Sequence, residues 1–111
     1  MTTLLLHHDS SALHDTGQGH PERPARIQAV MAALSQGPFT GLERREAPAA
    51  TPAQLARAHP PAFVEGLLAA IPEQGLARVD ADTVVSPESG EASIRAAGAI
   101  IAAIDAVFAG E

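Results

Sequence analysis

Cysteine, lysine, tyrosine and tryptophan are absent from this 111-residue chain, and its only aromatic residues are Phe39, Phe63 and Phe108. The lack of cysteine excludes disulfides and thiolate metal sites. With so few aromatics and about a fifth of the positions alanine, each buried contact is small, which predicts a thin core. The seven basic residues are all arginines, scattered along the chain against 13 Asp and Glu, for a net charge of -6. No basic stripe exists, so nucleic acid is not an expected partner. No apolar run approaches the ~20 residues of a membrane span. Leu4-Leu5-Leu6 runs into histidines too early for a signal peptide. The expectation is a soluble, cytoplasmic protein without a membrane partner. No nucleophile elbow, P-loop, dinucleotide fingerprint or His-Glu-x-x-His segment is present. Abundant alanine and arginine without lysine points to coding bias more than to function.

An apolar fraction of 46% is enough for collapse, and the length suits one domain. Thr3–Leu6 is a short apolar run that fits a buried parallel strand. Residues 7–23 are polar and read as a long loop, of the kind that is usually functional or disordered. From Pro24 to Ser35 the set Ile27, Val30, Met31 and Leu34 forms one helix face, and Gly37-Pro38 stops it. Leu42–Ala47 reads as a strand with a charged interior, Glu43-Arg44-Arg45-Glu46. Thr51-Pro52-Ala53-Gln54 is a capping box with proline at the first helical position, opening a short helix that ends near His59-Pro60-Pro61. A second helix carries Phe63, Leu67 and Ala70 and ends at Pro72 and Gly75. Val79–Val85 reads as a polar loop between helices. Ser86-Pro87-Glu88 caps a last helix running to about Ala109. On it Ile94, Ala97, Ile101, Ile104 and Phe108 form a stripe that Ile100 and Val107 widen, so the helix expects neighbours on more than one side. Only Thr3–Leu6 is a clearly marked strand, and a parallel sheet needs several, each joined by a crossover.

The most informative stretch is Gly17-Gln18-Gly19-His20-Pro21-Glu22-Arg23-Pro24-Ala25-Arg26-Ile27. Pro21 and Pro24 each fix φ and remove a donor, and Gly17 and Gly19 permit positive φ beside them. A loop this stiff is built to present side chains to a ligand. His7, His8, His14 and His20 share the first twenty residues with Asp9 and Asp15. Their spacing fits no metal-ligand pattern, so local hydrogen bonding is the reading adopted. Asp15 reads as a turn residue. His59, before proline, reads as structural. Asp80 and Asp82 suit a cation or substrate on a loop, or simply a solvated loop that caps the next helix. Spacing alone makes Arg26 a surface arginine.

Five blocks, in order, resemble the N-terminal part of the histone deacetylase / acetylpolyamine amidohydrolase family: His14-Asp15-Thr16-Gly17, Gly19 to Ile27, Ala58-His59-Pro60-Pro61-Ala62-Phe63-Val64, Asp80-Ala81-Asp82-Thr83-Val84-Val85-Ser86-Pro87, and Ala96-Ala97-Gly98-Ala99. The resemblance implies an α/β fold, the N-terminal part of a three-layer arginase/deacetylase-like parallel sheet with flanking helices, incomplete in this chain. It implies a zinc-dependent hydrolase of acetyl-lysine, acetylpolyamine or another acylated amine. It makes His20, Pro21 and Glu22 part of the substrate entrance. Asp82 becomes a rim aspartate that holds the substrate backbone, and Arg26 a partly buried arginine of an internal channel. The family's Pro-Pro-Gly-His-His segment, its zinc-binding Asp and His residues and its tyrosine have no counterpart here. The resemblance therefore implies that residues 1–111 are a truncated deacetylase segment lacking catalytic and metal-binding residues. Zinc would belong to the complete enzyme and would not bind tightly to this chain. Such a chain is expected to be inactive alone, to expose apolar surface on its last helix, and to aggregate or bind hydrophobic dye.

Two rival readings remain at this level. One is a non-catalytic interaction module that pairs with another chain or forms a homo-oligomer through its last helix. The other is a small metal-binding protein using His7, His8, His14 and His20.

Overall fold

Strand β1, Leu4–His7, lies parallel to β2, Glu43–Glu46, with Leu4 opposite Glu43 and His7 opposite Glu46. Parallel neighbours require a crossover, and helix α1, Pro24–Leu34, supplies it. The computed structural model describes residues 2–111. The charged run of β2 is tolerated because Glu43, Arg44 and Glu46 are exposed. Arg45 is held by Glu43 and Glu111 at 2.9 and 2.8 Å. Pro24 opens α1, where its missing N–H costs nothing.

Several boundaries differ from the sequence reading. His7 belongs to β1, and Asp9–Leu13 forms a 3-10 turn, so the loop proper is residues 14–23. His8 accepts from the Ser10 amide at the start of that turn, a cap that the sequence pattern does not announce. The capping box forms as expected. Thr51 Oγ1 accepts from Gln54 N at 3.2 Å, and Gln54 Oε1 accepts from Thr51 N at 2.8 Å. Helix α2 nonetheless spans only Pro52–Leu55, then tightens into turns before Pro60. Helix α3 is Pro61–Ala69. Val79–Val85 is not wholly loop: β3, Ala77–Arg78, pairs antiparallel with β4, Val84–Val85. Two-residue strands show no periodicity, so this hairpin leaves no pattern to read.

Helix α4, Ser89–Phe108, packs on β1 and on the 3-10 turn. Its cap is not Ser86. Glu88 holds that position, while Ser86 and Ser89 close a turn just before it, with Ser86 N donating to Ser89 Oγ at 2.8 Å. Gly98 lets α4 approach the segment after β2, where Ala50 N donates to Ile94 O at 2.9 Å. Arg95 Nη1 donates to Ala47 O at 2.9 Å in the same seam, and Arg95 Nε pairs with Glu91 at 2.7 Å.

The buried apolar set is Ala47, Ala50, Val85, Ala92 and Ala106, as thin as the composition predicts. Large apolar residues stand outside it. Ile100, Ile104, Val107 and Phe108 are 60%, 49%, 71% and 88% exposed, so one face of α4 has no cover. The radius of gyration is 15.5 Å, against about 13 Å for a compact domain of this length.

Candidate functional site

The loop over residues 14–23 is shaped from within. Gly17 and Gly19 have φ of 93° and 84°, which residues with a Cβ rarely adopt. Asp15 Oδ1 accepts from Gly17 N at 2.9 Å, the turn role expected of it. Thr16, 3% exposed, donates its hydroxyl to Glu22 O and so staples the two ends of the bend. Glu22 N then donates to His20 Nδ1 at 3.0 Å. That bond makes Nδ1 an acceptor and leaves the ring proton on Nε2. His20 Nε2 lies 3.0 Å from the backbone oxygen of Asp82, 62 residues away in sequence, and donates to it.

The opposite wall is the tip of the β3–β4 hairpin. Asp80 Oδ1 accepts from Asp82 N at 2.8 Å, and Arg78 Nη1 donates to Ala81 O at 2.8 Å. The Asp82 amide, then the Thr83 hydroxyl, hold the Asp80 carboxyl below the usual carboxylate range, with Arg78 a smaller contributor. The exposed Asp82 is thus presented by a hairpin tip tied at both ends. His20, Pro21 and Asp82 line one cavity of about 510 Å³, together with Thr16, Gly19 and Arg78.

Glu22 does not join that cavity. It lies on the other side of the loop with His14, Arg23, Arg26 and Ile27, around a second opening. Arg26 is exposed, not partly buried as the resemblance implies. It sits in the first turn of α1, and no buried residue belongs to that helix.

Sequence reasoning missed the anchor of the loop. His14 Nδ1 is 2.6 Å from Ser89 Oγ, and His14 Nε2 is 3.5 Å from Glu22 Oε1. Ser86 Oγ accepts from Asp15 N at 3.0 Å. Ser86 and Ser89, 4% and 1% exposed, fasten the loop to the start of α4. The Ser-Pro-Glu-Ser spacing reads as a helix cap and carries no sign of a partner 75 residues upstream.

His8 bonds Ser10 and lies 3.2 Å from Glu46. His59 stacks on Phe63, ring centres 5.3 Å apart. Among the described residues, no three His, Asp or Glu side chains are grouped so as to hold a metal ion. The donor set for zinc does not fit, and no chemical step is routed through a metal here.

The histone deacetylase domain family matches residues 20–111. A histone deacetylase-like amidohydrolase from Pseudomonas aeruginosa is 35% identical over 94 residues, covering 84% of this chain and 24% of that protein. An uncharacterized protein from Synechocystis is 34% identical over 99 residues, covering 86% of this chain and 32% of that one. The crystal structure of the HDA15 HD domain superposes with a TM-score of 0.86 at 22% identity, over 98% of this chain and 32% of the other. That likeness shows the fold, an incomplete part of the α/β deacetylase architecture. The chain spans about a quarter to a third of the length of the proteins it matches. From His20 to its last residue, this chain belongs to the histone deacetylase family.

Proposed function

We propose that this chain forms the substrate entrance of a zinc-dependent hydrolase that deacetylates acetyl-lysine, an acetylpolyamine or a related acylated amine. The observation that carries the reading is the His20 to Asp82 hydrogen bond, which joins the stiff loop to the hairpin tip around one cavity. His20 and Pro21 would form one wall. The Asp82 carboxylate would accept N–H groups flanking the acylated amine. Arg26 and Glu22 share a separate opening with His14, and there they would border the channel. The chain alone would neither hold zinc tightly nor turn over substrate; what supports this is that, among the described residues, no three His, Asp or Glu side chains are grouped to hold a metal ion.

A chimera tests this reading. Residues 20–111 replace the matching segment of the Pseudomonas aeruginosa relative, and hydrolysis of an acetyl-lysine peptide is followed. Losing a charged hydrogen bond costs about 1.5–3 kcal/mol, so Asp82→Ala should raise KM roughly ten- to hundred-fold with a smaller change in kcat. A folded, active chimera whose KM ignores Asp82→Ala would refute the assignment.

One observation favours a second reading, a module that pairs with another chain or with itself. It is the uncovered face of α4 at Ile100, Ile104, Val107 and Phe108. A patch of this kind usually marks an interface. Under this reading the purified chain sediments as a stable oligomer, and Val107→Glu dissociates it. A monomer that binds hydrophobic dye removes self-association.

A further inference from the structure

A third cavity shares Arg78 with the rim. It is a groove of about 380 Å³ between α3 and β3, walled by Phe63, Leu67 and Val79 with Gly66 at its floor. Phe63 and Val79 are 52% and 43% exposed, so large apolar surface faces solvent within a concave site. The Phe63 ring is held by its stack on His59. A Cβ built on Gly66 meets nothing within 4 Å, which makes the missing side chain the reason the groove is open.

We propose that this groove seats an apolar side chain flanking the acylated residue of a peptide substrate. The inference rests on the rim being a substrate entrance. Two features select a peptide over a free acylated polyamine. The groove wall is apolar, and its only charged lining group is the Arg78 guanidinium, so no carboxylate is there to receive an ammonium group. Arg78 carries five N–H donors, of which Nη1 binds Ala81 O, leaving donors for a peptide carbonyl as the chain crosses from rim to groove. His59 and Phe63 thereby act in selectivity, through the shape of the wall.

The test uses the ¹⁵N-labelled full chain and three probes followed by amide shifts. They are a capped tripeptide of acetyl-lysine flanked by leucines, the same peptide flanked by glycines, and N-acetylcadaverine. The leucine peptide is expected to move the amides of Gly66, Leu67 and Val79 as well as those of Gly19, His20 and Asp82. Burying a leucine side chain in an open groove should make it bind about tenfold tighter than the glycine peptide. N-Acetylcadaverine should move the rim amides only. Gly66→Leu adds a side chain to the lining at a position where a Cβ meets open space, and it should reduce the leucine peptide to the affinity of the glycine peptide, leaving the latter unchanged. Phe63→Ala, which removes one wall instead, should act in the same direction. Equal binding of both peptides with shifts confined to the rim overturns the groove proposal and leaves the entrance intact. No shift at the rim with any probe overturns the entrance reading and the groove with it.

Discussion

Replacing Gly98 by alanine puts a methyl group where there is no room. The added Cβ would lie 1.8 Å from Pro48 O, 2.8 Å from Pro48 C and 3.0 Å from Ala50 N. Ordinary C···O contacts begin at about 3.3 Å, so the shortfall is on the order of 1.5 Å. All three obstacles are backbone, and none can rotate away. Helix α4 must retreat from the segment after β2, which stretches the bond from Ala50 N to Ile94 O and the one from Arg95 to Ala47 O. Losing the first costs about 1 kcal/mol and the second, with its charged donor, about 1.5 kcal/mol. Residual overpacking adds about 1 kcal/mol, and the better helix propensity of alanine returns about 1 kcal/mol. The net expectation is a destabilisation of roughly 2–3 kcal/mol, read as a lower urea midpoint in circular dichroism. Faster hydrogen exchange at the Ala50 amide gives the local signature. Gly66→Ala is the control, because its Cβ meets open space. It should stabilise by up to about 1 kcal/mol. A Gly98→Ala chain as stable as the parent, with Ala50 exchange unchanged, would refute the close approach.

Two further outcomes are expected. Ser89→Ala should cost about 2 kcal/mol in the same urea titration, because it strips partners from the Ser86 amide and from His14 inside a buried cluster. The loop amides Asp15 and Gly17 should then lose exchange protection first. Acid should loosen the hairpin tip through Asp80. Its carboxyl is held below the usual range by the Asp82 amide and the Thr83 hydroxyl, so it favours the folded tip above about pH 4. That contribution is lost as pH falls through the lower folded-state value. The Asp82 amide shift should therefore titrate below the unfolded-state range, and a midpoint at or above it would sink the argument.

The helices were legible because their signals are local. The Thr51 to Gln54 box needs only four consecutive residues, and proline at Pro24, Pro52 and Pro61 marks a first turn wherever the rest of the chain lies. The stripe on α4 is written at helical spacing over twenty residues, and even its exposure follows from an apolar girth too wide for so small a protein. The β3–β4 hairpin was not legible, since two residues per strand carry no alternation. The exposure of Arg26 follows from its spacing alone, and it is the resemblance that pointed to a partly buried side chain.

The candidate site divides along the same line. The stiffness of the 14–23 loop is readable from its glycines and prolines, but what the loop is fastened to is not. His14, Ser86 and Ser89 are each unremarkable in sequence, and their role arises only when α4 arrives beside the loop. The separation of Glu22 from His20 and Pro21 is similarly hidden. The Glu22 amide is used within the loop by His20 Nδ1, and its carbonyl by Thr16, so the backbone of one residue closes the bend. Its side chain is thereby turned to the His14 side, while His20 is turned toward Asp82. A single bend thus serves two cavities, and the hydrogen bond that sets the His20 tautomer also decides which side each residue serves.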